Sequence, residues 1–168
     1  SIEGIFNGST NYILTKIFDE AKSFDLALQE AQEKGFAETD PRMDIEGHDP
    51  KFKLCILLLH AFGIFVKPEH IFNFGIDRLN DFDINYAREK HCRIKLIAKC
   101  RKVGNQIYAY VFPHFVNGNS QLTNIHNEYN GVLVESAFSD RQFFTGKGAG
   151  STPTGSAVLS DISALSYN

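Results

Sequence analysis

The 168 residues carry no large excess of either charge, few cysteines and no long apolar run, and each shortage removes a class of function. With 17 basic against 20 acidic side chains the formal charge is −3, so the electrostatic reason to expect a nucleic acid or an anionic membrane as partner is missing. The three cysteines, Cys55, Cys92 and Cys100, are odd in number and at no metal-ligand spacing, which excludes a disulfide framework and leaves reduced structural thiols. The histidines, His48, His60, His91, His114 and His126 among them, form no metal-ligand spacing either, and no metal site is expected. The apolar run at Cys55 to Leu59 is too short to cross a bilayer, and the first twenty residues hold no signal-type block. A cytoplasmic protein is expected.

What is present is 43% hydrophobic and 22% charged residues, the composition of one soluble domain with a real core. The chain opens at Ser1 directly on a patterned segment, the expectation for one domain of a larger protein. Two helical pieces are expected between Ser9 and Glu33, the first capped at Thr10 or Asn11 and the second at Ser23, with Gly35 at the closing position. Gly4 to Gly8 reads as a strand end or turn before them. From Gly35 to Gly47 there is no apolar period, and a loop of about a dozen residues inside a compact domain is where chemistry is sought. Asp49-Pro50 starts the next helix, with the Asp as cap, and Lys53 to Phe62 is apolar nearly all round, as in a helix buried on most faces. His60 on that helix reads as a satisfied core residue.

A short helix at Pro68 to Phe72, a strand or turn at Phe74 to Ile76 and a helix near Asp81 to Lys90 follow. From Cys92 the period becomes two: Ile94, Leu96 and Ala98 alternate with Arg93, Lys95 and Lys99, and Gly104-Asn105 turns the chain into Ile107, Ala109 and Val111 as a β-hairpin. Asn117 to Asn130 is polar and turn-rich. Gly131 to Phe138 and Gln142 to Phe144 are strands, and a glycine-rich loop leads to a last helix capped at Thr154. The sum is an α+β domain with a mostly antiparallel sheet.

Glu38, Asp40, Asp44, Glu46, Asp49 and Lys53 fall within sixteen residues at the edge of the apolar helix. Asp49 and Lys53 are four apart, hence on one helical face. Two readings stand: a capping Asp in a surface ion pair, or a lysine held above an apolar helix and tuned for proton transfer. Gly8 and Ser9 are either a plain turn before a helix or backbone donors for a substrate carboxylate. Gly148-Ala149-Gly150 is either a strand-to-helix turn or a ligand loop, since glycine-rich stretches are weak signals alone.

The 23 residues from Ala31 to Lys53, AQEKGFAETDPRMDIEGHDPKFK, resemble the signature of the homoserine dehydrogenases. Gly4 to Leu14 (GIFNGSTNYIL) resembles that family's opening of the catalytic domain, and Gly146 to Gly150 with Pro153-Thr154 resembles its closing loop. The family carries threonine where this chain has Ser9, which keeps the hydroxyl. The resemblance implies NAD(P)(H)-dependent interconversion of homoserine and aspartate 4-semialdehyde, in the route to threonine, methionine and isoleucine. It implies Glu38 on the substrate ammonium, Asp44 beside it, and Asp49 and Lys53 at the reacting oxygen, Lys53 positioning or relaying the proton. Gly148, Ala149 and Gly150 would lie near the nicotinamide.

The implied fold is a mixed α+β sheet covered by helices on one face, like the C-terminal domain of glyceraldehyde-3-phosphate dehydrogenase, with a homodimer formed through the sheet. Cys55 lacks the loop setting and adjacent base of a thiolate nucleophile, which argues against the cysteine-dependent semialdehyde dehydrogenases of related fold. No Gly-x-Gly-x-x-Gly turn occurs in the 168 residues, so most of the cofactor has no home here and the chain alone is expected to be inactive. The other class compatible with these residues is a non-catalytic dimerisation or amino-acid-binding module.

Overall fold

The structure, a computed structural model, describes residues 1–148 and 150–165. Its elements run β1 (Ile2–Ile5), α1 (Gly8–Glu20), α2 (Phe24–Glu33), α3 (Arg42–Ile45), α4 (His48–Phe62), a 3₁₀ turn (Pro68–His70), β2 (Phe72–Asn73), α5 (Asp81–Glu89), β3 (Cys92–Val103), β4 (Gln106–Asn117), a second 3₁₀ turn (Gln121–Asn124), β5 (Tyr129–Ser136), β6 (Asp140–Lys147) and α6 (Ser151–Leu165). The six strands form one sheet in the order β2-β4-β3-β1-β5-β6. Every neighbouring pair is antiparallel except β2 with β4.

The expected α+β class and mostly antiparallel sheet are therefore present, and α1, α2, α4 and α5 share one face. Ile94, Leu96, Ala98 and Cys100 of β3 point into a core built by Ile13, Leu14 and Ile17 of α1, Ala27 and Ala31 of α2, Leu54 and Leu58 of α4, and Ile84 and Ala87 of α5. The opposite face is closed at one end by a smaller cluster, where Leu122 and Ile125 cover Ile5, Ile97, Val116 and Leu133. The turn-rich stretch before β5 thus works as a lid on the second face, leaving the aromatic end at Phe72, Tyr108 and Phe112 open.

That lid overturns the strict alternation of β3. Lys95, expected with Arg93 and Lys99 on a polar face, is 1% exposed. Its ammonium donates to Asn11 Oδ1 at 2.9 Å and to the Ile125 carbonyl. Asn11 in turn donates to the carbonyls of Ile125, Asn127 and Tyr129. The start of β5 is tied to α1 by this buried network, in which each of these polar groups has a hydrogen-bond partner.

Several boundaries move, each for a local reason. α1 begins three residues before Thr10 reaches a capping position, because Asn7 is the cap and its side chain accepts from the Thr10 N–H. Ser23 caps α2 as expected, and Gly35 follows that helix in the left-handed conformation at φ 72°. The loop after it contains the single helical turn α3. α4 starts at His48 with no side-chain cap, so Asp49 lies inside its first turn and does not cap it. α4 also buries only one stripe, Pro50, Lys51, Leu54 and Leu58, while Ile56, Leu59 and His60 face outward. The expected all-round burial of α4 and the core assignment of His60 do not hold.

The strand or turn expected at Phe74 to Ile76 follows directly on the two-residue β2, and the helix expected before it is only the 3₁₀ turn. α6 starts at Ser151, and Thr154 lies inside it, its N–H and hydroxyl both donating to the Gly150 carbonyl. All three thiols are free, and burial raises the pKa of Cys55 and Cys100.

Candidate active site

The β1–α1 junction, the loop after α2, α3 and the first turns of α4 converge on a cavity of about 390 Å³. Gly8, Ser9, Glu38, Asp44, Asp49, Lys53 and Gly148 all line it, so residues up to 140 positions apart in sequence meet at one place. Gly150 is not among the lining residues and sits at the start of α6. Ala149 lies outside the described residues. A larger apolar groove of about 660 Å³ follows the β4 edge past Val66, Phe72 and Tyr110, but it gathers no acid–base cluster.

Lys53 leaves α4 toward the cavity and donates to Asp49 Oδ2 at 2.8 Å and to the Phe6 carbonyl at 2.9 Å. An ammonium has three N–H bonds, and these two contacts leave one for a further acceptor. The side chain is 45% exposed, so the desolvation expected of a lysine over a buried helix is absent. The i,i+4 ion pair of the first sequence reading exists, and it lies on the cavity wall.

Asp44 projects from α3 and is half-buried. Burial raises its pKa and the neighbouring Asp49 carboxylate adds to the rise, opposed by the hydrogen bond from Asn7 and by the Lys53 charge. Glu38 is exposed, and among the described residues its carboxylate has no hydrogen-bond or ion-pair partner, leaving it open to a ligand cation. Asp40, beside it, is instead occupied: Arg42 donates to both of its oxygens and holds its carboxyl down at about 2.

Asn7 was legible only as part of a turn, yet it organises the site. Its Nδ2 donates to Asp44 Oδ1 at 2.6 Å and to Asp49 Oδ2 at 2.8 Å. The signal in sequence was its place two residues before Ser9, where an Asn is a strong helix cap. Ser9 donates its hydroxyl to the Phe36 carbonyl, so it ties α1 to the signature loop. Gly8 is needed for a close approach, since a Cβ there would lie 2.7 Å from the Glu128 carbonyl. As the first residues of α1, Gly8 and Ser9 have backbone N–H groups without intrahelical partners, at the positive end of a thirteen-residue helix.

Gly148 closes the far rim. A Cβ there would lie 2.2 Å from Asn130 Nδ2, so any larger residue must displace the Asn130 amide, and the rim at that point is bare main chain. Four carboxylates and one ammonium line the cavity, an arrangement suited to a small ligand that carries a positive charge and offers an oxygen to Lys53.

A family model described as homoserine dehydrogenase matches residues 1–163. The homoserine dehydrogenase of Bacillus subtilis is 38% identical over 165 residues, which cover 98% of this chain and 38% of that protein. That of Lactococcus lactis is 36% identical over 159 residues, 95% of this chain and 37% of the relative. Among solved structures, an S. aureus homoserine dehydrogenase superimposes with a TM-score of 0.90 at 37% identity, over 99% of this chain and 42% of that one. A hyperthermophilic archaeal homoserine dehydrogenase mutant, solved in complex with NADPH, gives a TM-score of 0.76 at 28% identity, over 96% of this chain and 45% of its own. The chain thus spans about 38% of the length of the curated relatives it matches. A family model over residues 1–163 and relatives at 36–38% identity over nearly the whole chain show that the chain belongs to the homoserine dehydrogenase family.

Proposed function

We propose that this chain forms the substrate side of a homoserine dehydrogenase, interconverting L-homoserine and L-aspartate 4-semialdehyde with NAD(P)(H) on the route to threonine, methionine and isoleucine. The observation that carries this reading is the convergence of Glu38, Asp44, Asp49 and Lys53 on one cavity with the N-terminus of α1. Glu38, which has no partner of its own, takes the substrate ammonium, with Asp44 beside it. The free N–H groups of Gly8 and Ser9 take the substrate carboxylate.

The remaining N–H of Lys53 meets the reacting oxygen. In the reduction, the ammonium gives its third proton to the aldehyde oxygen as the carbon takes the hydride; in the oxidation, Lys53, having first released that proton to solvent, takes the hydroxyl proton as the carbon gives up its hydride. Asp49 and the Phe6 carbonyl hold the nitrogen in place between those states. Nicotinamide, when bound, supplies the hydride acceptor or donor. The bare main chain at Gly148 fits a flat ring at the rim, with Gly148, Ala149 and Gly150 as the residues that would hold it. The phosphates and adenosine require a Gly-x-Gly-x-x-Gly unit, which the 168 residues do not contain, and the chain alone is expected to be silent. The free thiols suit a cytoplasmic enzyme.

The open aromatic end supports partnering through the sheet: Phe72 and Phe112 stack at 6.1 Å with both rings exposed, which suits a second copy of this face. Absorbance at 340 nm with homoserine and NADP⁺ tests the catalytic reading on the chain alone and on the chain joined to a family nucleotide-binding domain. We expect turnover only in the joined protein, and a loss of at least about 100-fold in Lys53→Ala. Normal turnover by the chain alone, or an undiminished rate in Lys53→Ala, would overturn it.

A further inference from the structure

The two carboxylates at the centre of the cavity are joined by one amide. Asn7 is 5% exposed, and its Oδ1 accepts from both the N–H and the hydroxyl of Thr10, at 2.8 and 2.9 Å. Those contacts settle which side of the amide is nitrogen and aim the NH₂ group away from the helix. Both of its protons are then spent, on Asp44 Oδ1 and on Asp49 Oδ2. Because the two acceptors share one nitrogen, their oxygens lie within about 5 Å of each other. Asp49 Oδ2 is also the oxygen that holds Lys53.

Other residues could cap α1, but none of them could do this. Ser and Asp rank with Asn as N-caps, and Thr follows closely. Ser and Thr each have one proton on a shorter side chain, and an ionised Asp has none. The capping role therefore leaves the choice of Asn unexplained, and the carboxylate pair supplies the reason for it. Resting on the reading of this cavity as the homoserine site, we propose that Asn7 is a positioning residue for the reaction: its amide sets the spacing of Asp44 and Asp49 and, through Asp49, the placement of the Lys53 ammonium. It acts through those residues and needs no contact with substrate. The charged groups facing Asp44 are Asp49 and Lys53 of α4, with Glu38 and Asp40 on the same cavity wall.

The test is Asn7→Ser, which keeps a capping oxygen and removes the paired donors, beside Asn7→Asp, which keeps the size and the cap and replaces the donor with a third carboxylate. In the joined, active protein we expect kcat to fall about 100-fold in both, with the acidic limb of the kcat/KM profile moved to higher pH and the thermal midpoint within a few degrees of wild type. In the 168-residue chain, carboxyl carbon NMR should show Asp44 titrating at higher pH in both variants than in wild type, because a donor to its ionised form is gone. That second readout needs no turnover, so it still judges the clamp if wild type proves not to oxidise homoserine. A wild-type kcat with an unmoved acidic limb, or an unmoved Asp44 titration, overturns the proposal and leaves Asn7 as a cap alone. Should Asn7→Ser unfold, Asn7→Gly, which also permits the helix start and adds no charge, decides by the same readings.

Discussion

Replacing Lys95 by methionine should stabilise the domain at pH 6 and leave it unchanged near pH 9. Burial, with a smaller contribution from the Arg93 charge, pulls the Lys95 ammonium down from 10.5 to about 7, while Asp19 opposes the fall. At about 1.4 kcal/mol for each tenfold change in proton affinity, holding the charged form in the fold costs about 5 kcal/mol. The folded value lies below the unfolded one, so between pH 7 and 10.5 the unfolded chain binds the extra proton and stability rises with pH. Below that window the cost is present in full.

Methionine removes the charge and forfeits two hydrogen bonds. The Ile125 carbonyl keeps its donor from Asn11 Nδ2 at 3.2 Å, so only Asn11 Oδ1 is left unpaired. That loss costs about 2–3 kcal/mol. The balance favours Lys95→Met by about 2–3 kcal/mol at pH 6, and at pH 9, where about half of the lysine penalty is already relieved, it is close to zero. Urea unfolding of both proteins at pH 6, 7.5 and 9 measures this directly. His126, whose pKa is lowered by burial and then by the Lys95 and Arg93 charges, should titrate nearer its ordinary value in the variant. A stability difference that does not change with pH, or a variant less stable than wild type at pH 6, would refute the reasoning.

Gly148→Ala forces a Cβ to within 2.2 Å of Asn130 Nδ2. We expect a cost of about 1–3 kcal/mol in unfolding and a raised KM for the nicotinamide cofactor, both relieved by adding Asn130→Ala; an unchanged KM would remove the loop from the cofactor site. Asn11→Ala withdraws the donor shared by three carbonyls and should cost about 3 kcal/mol by urea titration, whereas a loss under about 1 kcal/mol would mean that water replaces it. Phe112→Glu puts a charge on the open aromatic face, and sedimentation should then show monomer where wild type shows dimer; a wild-type monomer at all concentrations counts against pairing through the sheet.

Local rules made part of this molecule readable. Ser23 caps α2, the period-two run from Cys92 forms the β3–β4 hairpin, and the quartet from Glu38 to Lys53 lines one cavity. These follow from short-range patterns or from a dense motif. What stayed hidden depends on partners far along the chain. Lys95 shares the period of Arg93 and Lys99, and only the segment around Leu122 and Ile125, folded across the second face, buries it. Asn7 reads as a turn residue because the carboxylates that give its amide a purpose stand 37 and 42 positions away. α4 is apolar in sequence on nearly every side, yet within this chain only one stripe of it is fully buried, with Cys55, Leu57 and Phe62 partly covered beside it.

The claim that this cavity receives the amino-acid substrate is tested most directly by calorimetric titration of L-homoserine into the chain and into Glu38→Gln. Glu38 is exposed and carries no structural contact through its carboxylate, so the substitution should leave the fold intact. We expect saturable one-site binding to wild type and at least about a tenfold loss in the variant, since a charge-assisted hydrogen bond to the ammonium is removed. Equal binding by both proteins, or none by wild type, would contradict it.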